Sequence, residues 1–186
     1  MRWLRRDKPP ADVVAVLDRD ERVLAWATAE GDAVIAATPK GLWLPVPPVE
    51  DRAAGRRRLG WHRVDKATWR DPEFAVIPAT DMGVVPAAGT DIEVVEDGPP
   101  LRWQLTDPRG LPPVVRTRVT RSVAYSEHFP LEPGGGVRVV GRRVPGRDGV
   151  FWQVRYDRGT EQDSAYVKAR VAELIAQAQQ TFPAVG

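Results

Sequence analysis

Arginine is the residue type whose grouping here could do chemistry. Arg52, Arg56, Arg57 and Arg58 form the densest basic run of the chain. A guanidinium presents a planar fork of donors that fits phosphate or carboxylate oxygens, so this run could contact an anion. The same run suits a solvated loop and strand edge, where charge discourages edge-to-edge pairing, and that reading is preferred. Arg116, Arg118 and Arg121, followed by Arg138, Arg142, Arg143 and Arg147, make the second half of the chain basic, with Glu127, Glu132 and Asp148 as the few acids among them. On one face these arginines would form a nucleic-acid surface. No named nucleic-acid motif accompanies them, and the aromatic interleaving of a single-strand binder is absent. Pairing with the acidic stretch 91–97, or plain solubility, is the competing account. Lysine occurs only at Lys8, Lys40, Lys66 and Lys168, and asparagine is absent. Arg, Ala, Gly and Pro use GC-rich codons, so genomic bias and function are both open as the source of the arginine excess.

The parts of a catalytic site are harder to find. There is no cysteine and there are two histidines, His62 and His128. This rules out disulfides, thiolate zinc sites and a histidine-rich metal centre. No Ser-His-Asp arrangement can be read, and no serine sits in a Gly-x-Ser-x-Gly elbow. Tyr125-Ser126-Glu127-His128 is suggestive by residue type alone. Gly134-Gly135-Gly136 lacks the flanking elements and the Lys-Ser/Thr of a phosphate loop. Glu93, Glu96 and Asp97 crowd one turn. The expectation is a protein without catalysis, cofactor or metal, although a carboxylate pair assembled only by folding would be invisible at this level.

Positioning any of these residues falls to a chain of 186 residues, 42% hydrophobic and 28% charged. That is one large domain, or one of about 130 residues with an appendage. The N-terminal Met1-Arg2-Trp3-Leu4-Arg5-Arg6 has the charges of a signal peptide without its apolar core, and no stretch approaches the ~18 apolar residues of a membrane span. A cytoplasmic address follows as the expectation. Residues 21–69 hold four of the seven tryptophans on short segments punctuated by Gly, Pro and Asp. This is the pattern of strands closing on a shared core.

A short helix is expected at 11–17 and strands at 22–29, 33–38, 42–45, 56–62, 67–69, 74–78 and 101–105, with a mobile loop at 49–55. Residues 80–90 read as a loop, and 91–95 as a segment that pairs with something. Residues 114–129 fit both a strand and a helix pattern. The prolines at a candidate first turn and the length favour helix. Residues 137–144 and 150–156 flank a Pro-Gly-Arg-Asp-Gly turn and read as a hairpin. Val167, Val171, Leu174, Ile175 and Ala178 trace the apolar face of a helix over 163–181.

Glu21-Arg22-Val23-Leu24-Ala25-Trp26, Ala36-Ala37-Thr38, Gly60-Trp61-His62-Arg63-Val64 and Ala67-Thr68-Trp69 resemble bacterial pleckstrin-homology-like (PH-like) domains, in particular uncharacterised actinobacterial proteins with a C-terminal extension. The likeness covers roughly residues 10–129 and is structural. It implies an α+β fold: a PH-like antiparallel β-barrel over 1–130 capped by a helix. A hairpin and long amphipathic helix at 131–186 would then pack on the barrel. It also implies a binding scaffold. The loop that binds phosphoinositides in eukaryotic PH domains is here Glu30-Gly31-Asp32, and its acidity repels phosphate. The expected function is a non-enzymatic scaffold with a protein partner. The alternative is an accessory nucleic-acid-binding protein. The contact residues offered are Arg56, Arg57, Arg58, Arg116, Arg118, Arg121, Arg142 and Arg143. A homodimer through the C-terminal helix is the further partner expectation.

Overall fold

A computed structural model describes residues 8–46, 55–87 and 90–182. The expected mobile loop at 49–55 falls almost wholly outside them, as do Trp3 and Arg52. A short helix, α1 (Ala11–Ala15), leads into four antiparallel strands, β1 (Ala25–Ala29), β2 (Ala33–Ala37), β3 (Gly41–Val46) and β4 (Gly55–Gly60). Gly31 turns β1 into β2 with φ at 68°, a conformation glycine adopts without strain. There follow β5 (Val64–Arg70), β6 (Glu73–Ala87), β7 (Thr90–Asp97), β8 (Leu101–Asp107), α2 (Leu111–Ser122), β9 (Val123–Pro130), β10 (Gly136–Arg142), β11 (Phe151–Tyr156) and α3 (Ala165–Thr181).

The strands form one mixed sheet of eleven, ordered β4-β3-β2-β1-β8-β6-β7-β11-β10-β9, with β5 on the other side of β6. The β7–β11 pair is parallel. Among the described residues no pairing joins the two ends, so the sheet is open where a closed barrel was expected.

The long strand β6 joins two cores. Its first half lies between β5 and β8, and its second half pairs with β7. The ribbon changes partner where the Gly98 amide donates to the Pro78 carbonyl at 2.8 Å. A Cβ on Gly98 would meet Thr80 Oγ1 at 2.6 Å, so the crossing needs a glycine. The first core gathers Ile35, Leu42, Leu44, Trp61, Phe74 and Leu105 under Leu111 and Val115 of α2. The second gathers Val85, Ile92, Val94, Val137, Val139, Trp152 and Val154 under the apolar face of α3.

Two expectations change. Residues 80–87 continue β6: Val85 and Ala87 are buried while Asp81, Val84 and Pro86 face out, and a register shift between Asp81 and Gly83, with Gly83 at φ 120°, absorbs the glycine. The expected helix 114–129 ends at Ser122, whose hydroxyl donates to the Val119 carbonyl at 2.7 Å. From Val123 the chain alternates against β10 as a strand. Finally, α3 packs on the second half of the sheet, chiefly on β6 and β10. The boundary expected at 130 falls between two strands, β9 and β10, that are paired to each other. The hairpin β10–β11 and the helix α3 are as expected.

Candidate functional site

The C-terminal turn of α2, the β10–β11 connection and the residue after α3 meet across a cleft of about 780 Å³. α2 contributes Arg118, Arg121 and Ser122. The connection contributes Arg143, Val144, Pro145 and Arg147, and Phe182 and Trp61 close the apolar side. Helical spacing places Arg118 and Arg121 on one face, three residues apart. Arg121, Arg143 and Arg147 are exposed and Arg118 is half-buried. Among the described residues none of the four has a carboxylate within ion-pair distance, although Asp148 also lines the cleft. Arg143 makes long contacts of 3.4 Å to the carbonyls of Arg121 and Val123, where a helix C-terminus favours a cation.

Beneath the cleft the charge continues inward. Arg142 is 5% exposed. Its Nη1 donates to Ser122 Oγ at 3.0 Å, its Nη2 lies 3.6 Å from Asp65, and its Nε has no partner. Burial lowers its pKa from the usual guanidinium value, against the pull of Asp65. His62 Nδ1 is likewise buried without a partner. The ring lies edge-on to Phe151 at 5.7 Å. Burial pushes the His62 pKa down to about 4, helped by the positive charges of Arg63, Arg147 and Arg142 and opposed by Glu93. Trp61 is 2% exposed and its Nε1 donates to the Thr38 carbonyl at 3.0 Å.

The other arginines offered by the sequence go elsewhere. Arg56 donates to Asp12 at 2.5 Å and to the Val34 carbonyl at 2.6 Å. Arg58 bonds Asp18 at 2.7 Å and Glu21 at 3.1 Å, and its guanidinium lies 5.6 Å from the centre of the Trp43 ring. Arg57 is exposed. Arg116 lines a separate hollow with Trp69, Phe74, Pro112 and Pro113. Arg138 stands on an exposed strand face, with Nη1 3.5 Å from Ser126 Oγ. Folding thus brings Arg118, Arg121 and Arg143 together, adds Arg147, and takes Arg142 into the interior. The acidic stretch 91–97 pairs with Arg63, through Glu93 at 2.5 Å, and with Arg155, through Asp97, and not with the arginines of the cleft.

Comparison with family models, with curated proteins and with solved structures finds no match.

Two groupings escaped the sequence reading. The Glu21 side chain is fully buried. It accepts from Thr38 Oγ1, from Trp43 Nε1 at 3.2 Å and from Arg58. This is a structural knot that ties β2, β3 and β4 to the turn before β1, and nothing in the spacing announces it. His128 Nε2 and Asp157 Oδ2 lie 2.8 Å apart, and both side chains are about two-fifths exposed, at 38% and 44%. They sit over Gly136, where a Cβ would meet both at 2.6–2.7 Å, and they line none of the cavities described above. Among the described residues no cluster of three or more potential metal ligands occurs, and no helix is long and apolar enough to cross a membrane.

Proposed function

We propose that this is a non-catalytic binding protein on a PH-like scaffold, whose arginine cleft receives an acidic segment of a partner protein. The observation that carries this reading is the convergence of Arg118, Arg121, Arg143 and Arg147, from two separate segments, on one cleft where, among the described residues, none of them has an ion-paired carboxylate. Guanidinium groups without a carboxylate partner among the described residues are poised for carboxylate oxygens, and arginine is enriched at interface hot spots. The scaffold half is supported by the chain order: a short helix, a four-strand meander, then β5, β6 and β8 with α2 laid over them. The non-catalytic half is supported by the placement of the His128–Asp157 pair away from the cleft. The cleft itself offers Ser122, which is already committed to Val119 and Arg142.

Nucleic acid is the less favoured occupant. Stacking platforms carry single-strand binding. The ring of Trp61 is buried, and that of Phe182 is packed edge-on against Tyr125 at 5.6 Å. Titrating the protein with a Glu-rich peptide and with single-stranded DNA of equal charge separates the two. The peptide is expected to bind at least about tenfold more tightly, a margin of about 1.4 kcal/mol. Tighter DNA binding with a steep dependence on salt would reverse the assignment.

A further inference from the structure

β9 is an end strand of the sheet, paired only with β10 among the described residues. Its hydrogen-bonding phase can be read from its ends. The Leu131 amide donates to the Gly135 carbonyl at 3.2 Å, while the Gly136 carbonyl accepts from Asp157 on the opposite side at 2.9 Å. The register 129↔137, 128↔138, 127↔139, 126↔140 and 125↔141 is unbroken between them. Antiparallel partners alternate between bonded and non-bonded pairs. The odd-numbered residues Tyr125, Glu127 and Phe129 therefore bond β10, and Ser126 and His128 turn their amides and carbonyls outward. Both residues are exposed. The strand begins at Val123, directly after the cleft residues Arg121 and Ser122. At a rise of about 3.4 Å per residue, Ser126 lies roughly 10 Å along the strand from that opening.

We infer that the partner of the cleft is an extended polypeptide that adds to the free edge of β9 as an antiparallel strand and delivers acidic residues on its C-terminal side to Arg121, Arg143 and Arg147. This rests on the arginine-cleft reading and gives it a binding mode. Backbone bonds to a sheet edge supply sequence-tolerant affinity, and the charged pocket at its end supplies selectivity. Charge complementarity selects an acidic segment. The direction follows from β9, which runs away from the cleft, so an antiparallel strand runs toward it.

The test is amide hydrogen exchange on the full chain, with a synthetic peptide of an alternating Val-Thr half followed by a Glu-rich half. The expected result is slowing of the Ser126 and His128 amides by about tenfold or more on binding, with Glu127 and Phe129 already protected in the free protein. Ser126→Pro removes an outward amide, which an edge strand tolerates. It is expected to weaken binding about tenfold, with Ser126→Ala retaining it and the exchange of core amides in both variants serving as the check on folding. If Arg121→Glu abolishes binding while Ser126 and His128 exchange unchanged, the cleft reading stands and the strand-addition inference falls. If the peptide does not bind at all, both fall. Protection of these amides that grows with protein concentration in the absence of peptide would assign the edge to a second copy of this chain and overturn the inference.

Discussion

Trp61 belongs to the first core and closes one side of the cleft, so a single side chain couples stability to the site. Deleting its ring by Trp61→Ala is expected to cost on the order of 3–5 kcal/mol, the range for a buried large aromatic, because it also leaves the Thr38 carbonyl without its donor. The shift in the urea midpoint measures this, and a loss below about 1 kcal/mol would contradict the burial seen. His62 gives the corresponding pH dependence. Its pKa, near 6.5 when unfolded, falls to about 4 in the folded chain, so the folded state disfavours the proton. Stability is therefore highest above pH 6.5 and falls as pH drops from 6.5 toward 4, where the unfolded chain takes up a proton that the folded one resists. His62→Gln is expected to flatten the stability profile over that window. A profile parallel to the wild type would show that His62 is protonated as easily folded as unfolded.

The elements that were legible are those whose pattern stays in one register. Val167, Val171, Leu174, Ile175 and Ala178 repeat at helical spacing and form the buried face of α3. The alternation of 137–142 and 151–156 about a Gly-rich turn becomes β10–β11. Residues 114–129 carried two patterns in series, a helix to Ser122 and a strand from Val123, and a single reading of the window had to misplace one of them. Residues 80–87 hid a strand because Gly83 and Pro86 look like loop chemistry. Gly83 is accommodated by the register shift, and Pro86 faces outward where, among the described residues, β6 has no partner beyond β7. The arginines were visible as a count, but their grouping was not. Arg142 and Arg143 are neighbours in sequence, yet the end of β10 sends one inward to Ser122 and leaves the other at the cleft. Only the meeting of α2 with the β10–β11 connection decides which of them can face a ligand.

At the scale of the molecule, two cores share one sheet through β6, and the cleft lies where their helices and turns converge. That placement makes the site a product of the whole chain. Trp61 comes from the first core, Phe182 follows the helix of the second, and α2 with the β10–β11 connection supplies the charge. Arg121 and Arg147 are themselves exposed and belong to neither core, so changing them leaves both cores intact. The most direct test is calorimetric titration of a Glu-rich peptide into the wild type, into the Arg121→Glu/Arg147→Glu double variant, and into Arg57→Glu, a single charge reversal at an exposed arginine that does not line the cleft. The cleft assignment predicts that the double variant binds at least about a hundredfold more weakly, about 2.8 kcal/mol, while Arg57→Glu stays within a few-fold of the wild type. Equal affinity for the double variant and the wild type would contradict it.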